Sequence, residues 1–178
     1  MQMRPEIQIA AMIKAMKDVV IPAVAGTNKL AEEQAKLVVG MLHLITHQLP
    51  RQFRFDRDEL ERLVKAGEAL RALRATESSA IRSATDALAG QCSAAAQLLE
   101  HCRRDPADLQ QSVHAMRGSI CAVVEAFAAS GGDGALEVER IVLAMSAEQL
   151  LRDRSLMKPQ GWEPDPAAVP DIDSLLAD

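Results

Sequence analysis

NKLAEEQAKLVVGMLHLITHQL, residues Asn28 to Leu49, decides the fold class of this 178-residue chain. Leu30, Leu37, Val38, Met41, Leu42, Ile45 and Leu49 recur at helical spacing, so they share one broad side of a long helix that needs neighbours to cover it. Lys29, Glu32, Glu33, Lys36, Gly40, His43 and His47 lie on the other side, which places both histidines away from the predicted core. Thr27 or Asn28 is the expected N-cap, and Pro50 closes the helix.

Upstream, Pro5 at a first helical position opens a helix with Ile9, Met12, Ile13, Met16, Val19 and Val20 on its predicted buried face, ended or kinked by Pro22. These two helices form an antiparallel hairpin. Downstream, Arg51-Gln52-Phe53-Arg54-Phe55 reads as a link to a third helix that starts at Asp56, with Glu59 completing a capping box. Its predicted buried side is Leu60, Leu63, Val64, Gly67 and Leu70. A fourth helix follows the cap-rich stretch Thr76–Ser79, on the apolar series Ile81, Leu88, Cys92, Ala95, Leu99 and Cys102. Asp105-Pro106, an N-cap followed by a first-turn proline, is the clearest boundary in the chain. Beyond it, Leu109, Val113, Met116, Ile120, Val123 and Phe127 alternate spacings of four and three, as a bundle seam does. Ser130–Gly134 is a turn with Asp133 as cap, lacking the pattern of a phosphate loop. The sixth helix carries Val138, Ile141, Val142 and Met145 on one side and Leu136, Leu143 and Leu150 nearly opposite. Such a helix is sandwiched in the core, or covers the core with one face and another subunit with the other.

The fold class is therefore all-α: an up-and-down bundle of about six helices over residues 1–157, followed by an extended, acidic, proline-rich tail over 158–178. Composition agrees, with three Phe, one Trp, no Tyr and many straight-chain aliphatics. One core is expected at this length.

The net charge is −5, and five of the 25 acids lie between Glu163 and Asp178, leaving twenty to balance the twenty bases of the body. A neutral, alanine-rich helical body favours self-association, and a dimer is expected. With no net basic field, nucleic acid is excluded as a partner. No apolar run reaches the length of a membrane span and no secretory signal opens the chain, so no membrane partner and a cytoplasmic location are expected. Cys92, Cys102 and Cys121 have no metal or redox spacing and read as small helical hydrophobes.

Three constellations could carry function. His43 and His47, at i and i+4, could begin a metal site, but two ligands are too few and no carboxylate stands at a completing position; solvated histidines are the plainer reading, and no cofactor is expected. Arg51, Arg54 and Arg57, interleaved with Phe53 and Phe55, form the densest basic patch and could hold a small anionic or acylated ligand, with Met12, Met16, Met41 and Met116 as pocket walls. The plainer alternative has the phenylalanines plug the core and the arginines face water or nearby acids. In the tail, Trp162, Ile172, Leu175 and Leu176 are apolar anchors suited to docking on a protein partner or a neighbouring subunit. No nucleophile or nucleotide motif is present. The expected function is that of a non-enzymatic helical interaction or accessory protein that self-associates. Ligand binding at the arginines is the alternative, and a metal-dependent enzyme using the two histidines is third.

Overall fold

Pro5 does begin the first helix, α1 (Pro5–Ala15), but Pro22 does not end it. Pro22 has no N–H to donate, and just before it the helix widens into a π turn, Met16–Val20, where the Ile21 N–H bonds to the Met16 carbonyl. The same rod then continues as α2 (Ile21–Val24). Gly26, at a φ of 73°, turns the chain. Asn28 is the N-cap of α3 (Lys29–Gln48), its Oδ1 accepting from the Ala31 N–H at 3.0 Å.

The remaining helices are α4 (Gln52–Ala72), α5 (Ser79–Glu100), α6 (Pro106–Ser130), α7 (Gly134–Met157) and, after a 3-10 turn at Lys158–Gln160, α8 (Ile172–Leu175). Counting α1 to α2 as one rod, these make seven helices among the described residues, where the sequence implied six. The chain is all-helical, with no strand among the described residues. This computed structural model describes residues 4–73, 78–100, 105–131 and 134–176. The expected break at Thr76, the cap Asp133 and the thiol Cys102 fall outside those residues.

The chain forms two compact units: Met1–Gln52 with Asp153–Leu175, and Phe53–Arg152 with Leu176–Asp178.

The second unit holds the hydrophobic core. Leu60, Leu63 and Leu70 from α4, Ile81, Leu88, Cys92 and Ala95 from α5, and Val138 from α7 are at most 3% exposed. The α6 seam is buried at all six expected positions, and α5 packs along α6. Asp105 caps α6 as its sequence implies, accepting from the Ala107 N–H at 2.9 Å. Gly67 lets α4 come close: a Cβ there would lie 2.6 Å from Cys92 Sγ. The capping box expected at Asp56 is absent, because α4 starts at Gln52 and Glu59 is buried against Arg117.

The first unit is a helical hairpin, with α1, the π turn and α2 lying against α3. Here the predicted faces fail. Of the α1-to-α2 series only Ile9 is buried, and α3 buries Ala35, Val39 and Leu44, while Leu30, Leu37, Val38, Met41, Ile45 and Leu49 are exposed. The physical reason is width: one rod and a strap cannot surround a helix whose apolar arc is this broad.

The segment expected to be extended is instead a strap folded onto the first unit. Val169 and Ile172 are 2% exposed. Ser155 Oγ donates to the Pro170 carbonyl at 2.7 Å and Lys158 Nζ to the Val169 carbonyl at 2.7 Å. Gln160 Nε2 donates to the Gly40 carbonyl on α3 at 3.0 Å. Arg154 grips Glu163 with both Nε and Nη2. These bonds satisfy a proline-rich backbone that cannot build regular structure, and two buried aliphatics offset the entropy of ordering it.

Candidate functional site

Arg51 follows the C-terminus of α3, where its Nη1 donates to the His47 carbonyl at 2.8 Å. That contact aims the guanidinium at the strap, and Nη2 meets Asp173 Oδ2 at 2.6 Å while Nε reaches both carboxylate oxygens. The carboxylate presented to the basic patch is thus the chain's own. Ile172 is buried beside it, Leu175 is half-buried, and Trp162 is 63% exposed.

In the second unit, Arg54 Nη2 donates to the Leu176 carbonyl at 2.8 Å, and Arg57 Nε donates to Glu61 at 3.4 Å. Leu176 and Phe55 are buried, whereas Phe53 is 37% exposed. The basic residues and the tail anchors, read from the sequence as separate features, therefore meet: Arg51 with Asp173, and Arg54 with Leu176. Nothing in the sequence pattern pairs them, because a contact across 122 residues leaves no periodicity.

Each histidine stands beside a cation. His43 Nε2 is 3.2 Å from Lys17 Nζ, and His47 Nδ1 is 3.5 Å from Arg51 Nη1. Burial, followed by the Arg51 charge, pushes the His47 pKa below its ordinary value against the opposing pull of Asp171 and Asp173. Among the described residues no group of three His, Cys, Asp or Glu could hold a metal ion. Cys92 is buried and its thiol pKa is raised by that burial, while Cys121 is exposed.

A charged network that the sequence reading missed lies in the second unit. Asp58 Oδ2 is 2.8 Å from Arg62 Nη2 and 2.6 Å from Arg152 Nε, and Arg62 also donates to Gln149 Oε1 at 2.8 Å. The Asp58–Arg62 spacing of i to i+4 is a visible signal, but Arg152 is not. Beside this network runs a groove of about 250 Å³ between α4 and α7, with Ala66, Ile141 and Met145 as its floor and Lys65 and Arg140 on its rim. It is smaller than the usual ligand cavity, and Arg140 is already paired with Glu137. Of the expected pocket methionines, Met116 is fully buried in the core, while Met12 and Met41 are exposed.

The aliphatic surface is more distinctive than any cavity. Leu30 is 71% exposed, and Leu37, Val38, Met41, Ile45 and Leu49 are each 38–47% exposed. On α7, Leu136, Leu143 and Leu150 are 76%, 69% and 58% exposed, opposite the buried Val138. No helix among the described residues is long and apolar enough to cross a membrane. No protein-family model, no curated protein and no solved structure matches the chain.

Proposed function

We propose that this chain is a non-enzymatic helical interaction or accessory protein that self-associates as a dimer, its helices running up and down in a bundle. One observation carries the reading: nine large aliphatic residues of α3 and α7, which belong inside a core by type and period, lie outside it. Single exposed leucines are ordinary on a protein surface, but aligned series on two long helices are the mark of faces that another polypeptide covers. The exposed Trp162 on the strap is the natural contact for a further protein partner, since indoles anchor interfaces.

Binding of a small anion at the arginines is less well supported, because Arg51, Arg54 and Arg57 each have an acceptor within the chain. A metal-dependent reaction at His43 and His47 is less well supported still, with a cation beside each ring.

Light scattering on the full chain across a dilution series tests the reading. A mass of twice the chain at micromolar concentration is expected. A monomer throughout would remove it.

A further inference from the structure

We infer that the surface through which this chain pairs with a second copy of itself is the uncovered face of α3. The inference rests on the self-association reading and says where the contact lies. Placed at 100° per residue, Leu30, Leu37, Val38, Met41, Ile45 and Leu49 fall within an arc of roughly 120° along the whole helix. The other residues on that arc are Ala31, Gln34 and Gln48. None of the nine is charged.

Charge decides for a second copy. In a two-fold contact the same patch meets itself, so a charged patch would bring like charges together, whereas an uncharged one is self-complementary. Gln34 also fits, because an amide both donates and accepts and can bond to its equivalent or to a backbone group. The charges of α3 stand outside the arc, and Lys36 is paired on its own helix, with Nζ 2.7 Å from Glu32 and 3.2 Å from Glu33.

Area agrees. The six exposed aliphatics amount to something on the order of 500 Å² of apolar surface, at the upper end of what a monomer leaves uncovered. With the polar margins of a helix about 30 Å long, the face approaches the ~800 Å² per partner of a stable interface. The α7 leucines do not match this. They run in single file seven residues apart, with Glu139 and Arg140 between the first two, and the Arg140 side chain is 73% exposed. Pairing that line would desolvate charge for three side chains.

Sedimentation equilibrium on the full chain compares the unaltered protein with the double variant Leu37→Asp, Met41→Asp and with Leu143→Asp, helix content being checked by circular dichroism. Both altered α3 residues are exposed in the single chain, so the fold tolerates them. The dissociation constant of the dimer should rise roughly 100-fold or more in the double variant, as for central interface residues, and should stay unchanged in Leu143→Asp. A dimer that survives the double variant, or that Leu143→Asp disrupts, overturns the assignment to α3 and leaves self-association standing. An unaltered protein that is monomeric throughout overturns both. Should the double variant lose helix, a nitroxide on Val38→Cys, with Cys102 and Cys121 replaced by Ser, gives the same answer. A distance between labels shorter than roughly 30 Å, the length of α3, is expected, and its absence overturns the assignment.

Discussion

Arg51 holds Asp173 across 122 residues of chain, with Nη2 at 2.6 Å from Oδ2 and Nε at 3.1 and 3.2 Å from the two oxygens. The geometry is that of a strong bidentate pair, but the two side chains retain 24% and 45% of their exposure, so water screens the charges. Ile172, the next residue back, is 2% exposed. The two contacts hold the same strap by different means, and their magnitudes can be compared.

Asp173→Ala should cost about 0.5 kcal/mol, and Ile172→Ala about 2 to 3 kcal/mol. Urea unfolding gives both values, and hydrogen exchange over residues 158–175 shows whether the loss is local. A larger cost for Asp173→Ala than for Ile172→Ala would mean that the ion pair, and not the apolar anchor, holds the strap.

The acid side of the stability profile divides into two windows. The folded His47 pKa lies below its ordinary 6.5, because burial and Arg51 disfavour the imidazolium. The unfolded chain therefore takes up this proton first as pH falls. The His47 contribution is complete above about pH 6.5 and is lost as pH drops toward the folded value. Glu163 behaves in the carboxylate range: the Arg154 hydrogen bond holds its pKa below the ordinary 4.5, so its contribution is present above that value and lost below it. Stability measured by urea should decline as pH falls below about 6.5, and His47→Gln should flatten that decline without changing the loss below pH 4.5. An unchanged slope in His47→Gln would rule out His47 as its source.

Asp58 lies against both Arg62 and Arg152, whose side chains are 7% and 14% exposed. Asp58→Asn keeps the shape and removes the charge, leaving two guanidiniums close together with little water. The expected cost is about 3 kcal/mol, read from denaturant midpoints. Arg62→Met should cost less, since it removes one of the two like charges along with its need for a partner. The reverse order would show that Arg62 serves through Gln149.

Much of the second unit could be read in the sequence. Asp105-Pro106 fixes where α6 begins, and the seam from Leu109 to Phe127 is buried throughout. Period also grouped Leu30, Leu37, Val38, Met41, Ile45 and Leu49 correctly onto one face. It could not say whether anything covers that face, because spacing within a helix carries no information about its neighbours. The strap was missed for another reason. Its anchors, Val169 and Ile172, are few, and its partners are carbonyls and single side chains distant in sequence. Composition could see only prolines and acids there.

Trp162 separates a docked strap from a mobile one, though its emission wavelength does not. The indole is 63% exposed in the folded strap, so emission near that of free indole and ready quenching by iodide are expected whether or not the segment is held. Rotation is what differs. Gln160 is bonded to Gly40 two residues before Trp162, and Glu163 is gripped by Arg154 one residue after it. With both neighbours tied down, the backbone at Trp162 cannot swing on the nanosecond scale as a free terminus does. Because there is no other Trp and no Tyr, the steady-state anisotropy of the intrinsic emission reports on this point alone. It should be high in the unaltered chain. It should fall in Ile172→Asp, which places a charge where the strap is buried, and fall little in Asp173→Ala, whose ion pair is screened. A low value in the unaltered chain would mean that the strap is undocked in solution and that Arg51 is then open to other anions.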